Sequence, residues 1–168
     1  MKAAVLPNTL AFDGILDEVS SFNHLVEAFE KLKQTGMKPP VNLDFSKVSY
    51  ANSAGIVTWL KFTQAAKISF KYINAPIWLV NQFNMIRDYF QNGSYAESIE
   101  APYFSPATQE SRAFTLQLGK DIPLLNDYTN FVMPNRNVSG RVYEIDFSPE
   151  LYFSFISENY PMFKELLK

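Results

Sequence analysis

The stretch VNLDFSKVSYANSAGIVTWL, residues 41–60, puts Asn52, Ser53, Ala54 and Gly55 where an apolar run gives way to a helix. Two kinds of chemistry suit these residues. Asn52 can close the helix start by accepting a backbone N–H. Alternatively, Ser53 is a hydroxyl presented to a partner and open to phosphorylation. The added charge of about −1.5 to −2 would then sit where free N–H groups and the helix dipole favour an anion. Other reactive types are sparse. His24 is the one histidine. A Ser-His-acid site would need it beside Ser53 with an orienting carboxylate, and the spacing does not provide that. His24 reads as an exposed or partly buried helix residue. Asp13, Asp17, Glu18 and Asp44 could gather around a hard cation. Carboxylates at strand ends more often cap or face water, however, and no metal-loop pattern accompanies them. The six glycines are scattered without a G-x-G-x-x-G or Walker pattern, which argues against nucleotide hydrolysis.

Composition narrows the field further. The 168 residues suit one domain, or one compact domain with a sizeable appendage, and 47% hydrophobic with 15% aromatic is ample for a core. Net charge is −2 with no basic run, so the electrostatic term behind nucleic-acid binding is missing. There is no cysteine, which excludes disulfides and thiolate metal sites and fits a reducing compartment. Pro7, Asn8 and Thr9 interrupt the N-terminal apolar stretch, which therefore does not read as a signal peptide. No apolar run approaches the ~20 residues of a membrane span. The expectation is a soluble, cytoplasmic protein.

The elements that must position Ser53 follow from periodicity. Residues 2–6 and 9–16 read as two strands joined at Pro7-Asn8, with Gly14 marking a bulge. Ser20 or Ser21 can cap a helix whose stripe is Phe22, Leu25, Val26, Phe29 and Leu32, ended by Gly36. Residues 41–45 form a buried strand, 48–50 extend it, and a second helix opens at Asn52. Ile56, Val57, Leu60 and Ala65 are its expected inner face. Trp59 and Phe62 share the other side, where an outward aromatic pair beside Ser53 would serve as a binding hot spot. Residues 68–73 alternate as a strand, and Pro76 opens a third helix. This alternation implies α/β layers with helices on a mixed sheet.

Several of these pieces together resemble the STAS domain, the fold of bacterial anti-sigma factor antagonists. LAFDGILD (residues 10–17) resembles its second strand, and the amphipathic helix at 21–35 follows in place. NLDFSKV (42–48) is similar to its "l-D-l-s-x-v" strand, and Asn52-Ser53-Ala54-Gly55-Ile56 to its "D-S-S/T-G-L" loop. YINAP (72–76) resembles the turn before its last helix. The resemblance covers residues 1–92 and implies a non-enzymatic interaction module without cofactor. Ser53 occupies the position phosphorylated by an anti-sigma kinase, and residues 52–55 with helix 54–65 would form the contact surface. Asn52 stands where the family has Asp, and Ala54 where it has a hydroxyl, so the charge a kinase would meet differs. The implied partner is an anti-sigma factor or kinase. A transporter ATPase or permease, bound through the same helix by a STAS-like adaptor, stays open, as does a small-molecule-binding domain.

Residues 93–168 change in texture. Residues 113–118 and 142–147 alternate as strands, and Ser148-Pro149-Glu150 opens a C-terminal helix that Pro161 should break. Ser105-x-x-Thr108 and residues 133–137 have the look of two knuckles joining short hairpins, as in a zinc ribbon. Without cysteine this is at most a metal-free β-rich appendage. The aromatic end, residues 143–163, either packs back on the first domain or is buried in a second copy, so a homodimer stays open.

Overall fold

The computed structural model describes residues 1–17, 19 and 22–167. Its first half runs β1 (Lys2–Leu6), β2 (Thr9–Leu16), α1 (Phe22–Gln34), β3 (Val41–Ala51), α2 (Ser53–Ala66), β4 (Phe70–Ile73) and α3 (Ile77–Met85). The second half adds β5 (Tyr95–Ala96), β6 (Ser98–Ser105), β7 (Glu110–Gln117), β8 (Arg136–Val138) and β9 (Arg141–Ile145). It closes with α4 (Pro149–Tyr152), α5 (Ser154–Glu158) and α6 (Tyr160–Leu166). The fold is α/β, with one mixed five-stranded sheet, one antiparallel four-stranded sheet and a helical end. Ser20, Ser21 and Glu18 lie outside the described residues.

The five-stranded sheet has the order β1-β2-β3-β4-β5. Pro7 and Asn8 turn β1 back on β2, with Asn8 at φ 51, and the remaining neighbours pair in parallel. The β2–β3 register shifts on both sides of Asp13-Gly14, and Gly14 sits at φ 103, which accounts for the glycine there. Alternation then sorts the side chains. Leu10, Phe12 and Leu16 of β2, Val41, Leu43 and Phe45 of β3, and Phe70 and Tyr72 of β4 are buried on one face. Helices α1, α2 and α3 cover that face. Trp59 stands edge-on to Phe12 at 5.4 Å and to Phe45 at 5.0 Å, while Phe29 of α1 meets Phe62 at 5.6 Å.

That arrangement corrects the expectation for α2. Trp59 is 0% exposed and Phe62 2% exposed, so neither lies on an outward face. Val57 is 50% exposed and Ala65 is exposed, although both were expected inside. The cause is the rotation of the helix. Gly55 faces the sheet, and positions four and seven residues later must face it too, which turns Trp59 and Phe62 inward.

The second half is stitched onto the first. Residue 92 is not the end of the first sheet, because Tyr95–Ala96 supply its fifth strand beside β4. The Ser94 hydroxyl accepts the Phe70 N–H at 2.9 Å, and Ser98 Oγ accepts the Asn74 N–H at 2.8 Å. Strand β6 then carries the chain into the second sheet, of order β7-β6-β9-β8; the β6–β7 turn falls at the first expected knuckle, while the β8–β9 turn lies at residues 139–140, beyond the expected 133–137. The aromatic end packs back on the first half. Phe83 meets Phe155 at 5.4 Å and Phe90 meets Phe163 at 5.3 Å. Asn84 fixes the joint: its Nδ2 donates to Tyr152 O, and its Oδ1 accepts from Ser154 Oγ and the Phe155 N–H. The helical end breaks at Phe153 and Asn159, and Pro161 lies in the first turn of α6, where a missing N–H is harmless.

Burial gives this core a pH limit. Tyr72 and Tyr89 are wholly enclosed, and desolvation holds both hydroxyls well above the ordinary tyrosine range. Burial likewise raises Tyr152, and pushes Tyr128 up to about 12. Below about pH 10 these groups are neutral in both folded and unfolded chains; above it, only the unfolded chain ionises freely. Stability is therefore expected to be insensitive to these tyrosines up to about pH 10 and to fall as pH rises further. Absorbance at 295 nm followed with circular dichroism checks this. Full phenolate absorbance near pH 10 with an intact fold would contradict it.

Candidate functional site

The site is the N-terminus of α2 at the ends of β2 and β3. The Asn52 backbone N–H donates to Leu16 O at 3.0 Å, which ties the residue before the helix to the last residue of β2. The Asn52 side-chain oxygen accepts the Gly55 N–H at 2.9 Å, the helix cap expected of Asn at this position. Gly55 has a second role. A Cβ on it would fall on the carbonyl of Leu16 and within 2.8 Å of Asp17 N. The first turn of α2 thus rests directly on the backbone of β2, and only glycine permits that approach.

This seating decides what faces outward. Ser53 and Ala54, the first two residues of α2, are exposed. Val57, Lys61 and Gln64 continue the same side down the helix. At the ends of β2 and β3, Ile15 is 45% exposed and Tyr50 56%, and the two are partners in the β2–β3 register. No acidic residue occupies the first turn of α2. The Ser53 hydroxyl therefore stands at the positive end of a 14-residue helix with no carboxylate in that turn. Of the expected contact residues, Asn52, Ser53, Ala54 and Gly55 are gathered here, Gly55 as a buried spacer. Trp59 and Phe62 are removed to the core, and Val57 stands on the outward side of α2. Sequence reasoning could have found the outward Val57 from Gly55-x-x-x-Trp59-x-x-Phe62, which is itself the inward stripe.

The other candidates do not converge. His24 is exposed on α1 and lines a hollow formed by β1 and α1, of which Ser53 is no part. Asp44 Oδ1 accepts the Ser46 N–H at 2.9 Å, and Asp17 Oδ1 accepts the Val19 N–H at 3.1 Å, so both close local turns. Among the described residues, no three His, Asp or Glu side chains are placed to hold a metal ion. Nor is any helix among them long and apolar enough to cross a membrane.

Gly55→Ala tests the seating by its sign. In an unobstructed helix this change stabilises by roughly 1 kcal/mol. Here it is expected to destabilise by about 2 kcal/mol or more, because the β2 backbone cannot yield cheaply. Urea unfolding measures the difference, and a neutral or stabilised variant would contradict the contact.

Compared with known proteins, the chain has no significant match to any family model, curated protein or solved structure.

Proposed function

We propose that the chain is a non-enzymatic protein–protein interaction module of bacterial signalling, acting like an anti-sigma factor antagonist in partner switching. The observation that carries this reading is the placement of Ser53. It is an exposed hydroxyl on the first residue of α2, with exposed Val57 on the same side of the helix and no carboxylate in that turn. An exposed apolar side chain beside a polar centre suits docking of a protein partner. In the switch, a partner kinase transfers the γ-phosphoryl group of ATP to Ser53 Oγ, releasing ADP and the hydroxyl proton. The phosphate is tolerated by the helix terminus, so the fold persists. The same charge in the middle of an apolar contact opposes docking, so the partner leaves.

A second reading uses the same face without phosphorylation, as an adaptor that docks on a transporter ATPase or permease. Asn52 and Ala54 favour it, since the cap needs no charge here and the second hydroxyl of the resembled loop is missing.

Affinity purification from the native host, with mass spectrometry of partners and of the Ser53 peptide, separates the readings. The wild-type chain is expected to recover an ATP-binding anti-sigma-type kinase, with phosphate on Ser53. Ser53→Glu and Val57→Arg are each expected to reduce recovery about tenfold or more while leaving the fold intact. A transporter ATPase recovered with unmodified Ser53 would favour the adaptor. Partners insensitive to both substitutions would contradict both readings.

A further inference from the structure

Between α3 and β5 the chain makes a tight turn at Gln91–Gly93. Asn92 sits there at φ 55 and ψ 30, and Gly93 at φ 71, in the left-handed region that Asn and Gly tolerate. Both residues are exposed. The Asn92 side chain still has a structural task. Its Nδ2 donates to Thr63 O at 3.4 Å, a long and weak bond, and among the described residues its Oδ1 accepts nothing. Thr63 lies in the last turn of α2, so this amide N–H faces a carbonyl at the negative end of that helix.

Asn92 is the one asparagine followed by glycine. That pairing permits a reaction within the chain itself. The Gly93 nitrogen, with no Cβ beside it to crowd the approach, attacks Cγ of Asn92. An N–Cγ bond forms, the Cγ–Nδ2 bond breaks, and the amide nitrogen leaves as ammonia with the proton from Gly93. Water then opens the cyclic imide at either carbonyl, leaving aspartate or β-linked isoaspartate. Other asparagines are held against this. Asn52 precedes a serine, but its side-chain oxygen accepts the Gly55 N–H. The Asn8 amide is bonded at both ends, to Pro40 O and to the Lys38 N–H. Asn137 precedes the β-branched Val138, and its oxygen accepts the Gly140 N–H at 3.1 Å.

We propose that Asn92 is a site of spontaneous deamidation in the folded chain, and that its conversion weakens the hold of the Gln91–Gly93 turn on α2 and β4. An aspartate here loses the N–H given to Thr63 O. It sets a negative charge against that carbonyl, where the helix dipole is already negative. The last turn of α2 holds no basic residue, and Lys67, directly after it, is the first cation able to offset the charge. Isoaspartate adds a second effect. It inserts one backbone atom ahead of Ser94, whose buried hydroxyl accepts the Phe70 N–H at 2.9 Å. Displacing Ser94 leaves that buried N–H without its acceptor and loosens β5 at the sheet edge. Ser53 stands at the opposite end of α2, so the modification acts on the support of this helix and leaves its outward serine chemically unchanged.

Peptide mapping by mass spectrometry, after incubation of the whole chain in mildly alkaline buffer, tests the proposal. Asn92 is expected to convert about tenfold or more faster than Asn137, giving two products of aspartate mass that separate by chromatography. Asn92→Gln is expected to abolish both products. Asn92→Asp reproduces the α-linked product and is expected to lower Tm by about 2 °C or more, and by less in high salt. In the isoaspartate fraction the Phe70 N–H is expected to exchange with solvent faster than in the unconverted chain. Conversion at Asn92 no faster than at Asn137, or confined to chains unfolded in urea, would overturn the site. An Asn92→Asp chain as stable as the wild type, with unchanged Phe70 exchange in the isoaspartate fraction, would overturn its coupling to α2 and β4.

Discussion

The approach of Gly55 to the carbonyl of Leu16 is the constraint on which the rest of the site depends. It joins the second strand to the start of the second helix at backbone distance, and the Asn52 N–H bonded to Leu16 O holds the same point from the other side. A helix fixed so closely at one end has no rotational freedom left. Trp59 and Phe62 follow Gly55 at four and seven residues; Trp59 meets Phe12, Phe45 and Tyr72, and Phe62 meets Trp59, Phe29 and Phe70. Trp59 also donates from Nε1 to the Tyr72 hydroxyl at 3.3 Å, so its burial leaves no polar group unmatched. The outward side receives what remains, which is Ser53, Ala54, Val57, Lys61 and Gln64.

The same cluster explains why the second half belongs to the first. Tyr72 contacts Phe83, Tyr89 and Phe90, and those rings in turn meet Phe155 and Phe163 from the end of the chain. One continuous apolar core therefore runs from the parallel sheet to α6. Backbone pairing reinforces it, since the Ala75 N–H donates to Ser98 O, and Ala75 O accepts the Glu100 N–H. This leaves the α2 terminus on a firm support. The β-rich half closes the core away from Ser53.

Much of this was legible in the sequence wherever a local rule acted alone. Pro7-Asn8 marks the hairpin because Pro sets one turn dihedral and Asn tolerates the left-handed one. Gly14 marks the bulge, and Asn52 marks the cap. The α1 stripe of Leu25, Phe29 and Leu32 is buried as its spacing implies. The misreadings arose where a residue has two roles. Gly55 was read as part of a loop, and its packing role, which sets the phase of the whole helix, cannot be seen until β2 lies beside it. Strand β6 is hard to read from sequence because Pro102 interrupts SIEAPYFS, although Ile99, Ala101, Tyr103 and Ser105 alternate inward around it. Strand β5 has two residues and no period to read.

The most direct test is the environment of Trp59 in a chain carrying Trp78→Phe, so that one indole reports. Its fluorescence should be blue-shifted and resistant to iodide, and both properties should be lost on unfolding in urea. Such a result places the aromatic side of α2 in the core and leaves Ser53 and Val57 as the outward face. A red-shifted, readily quenched Trp59 in the folded chain would mean that α2 is rotated, and that Gly55 does not rest on β2.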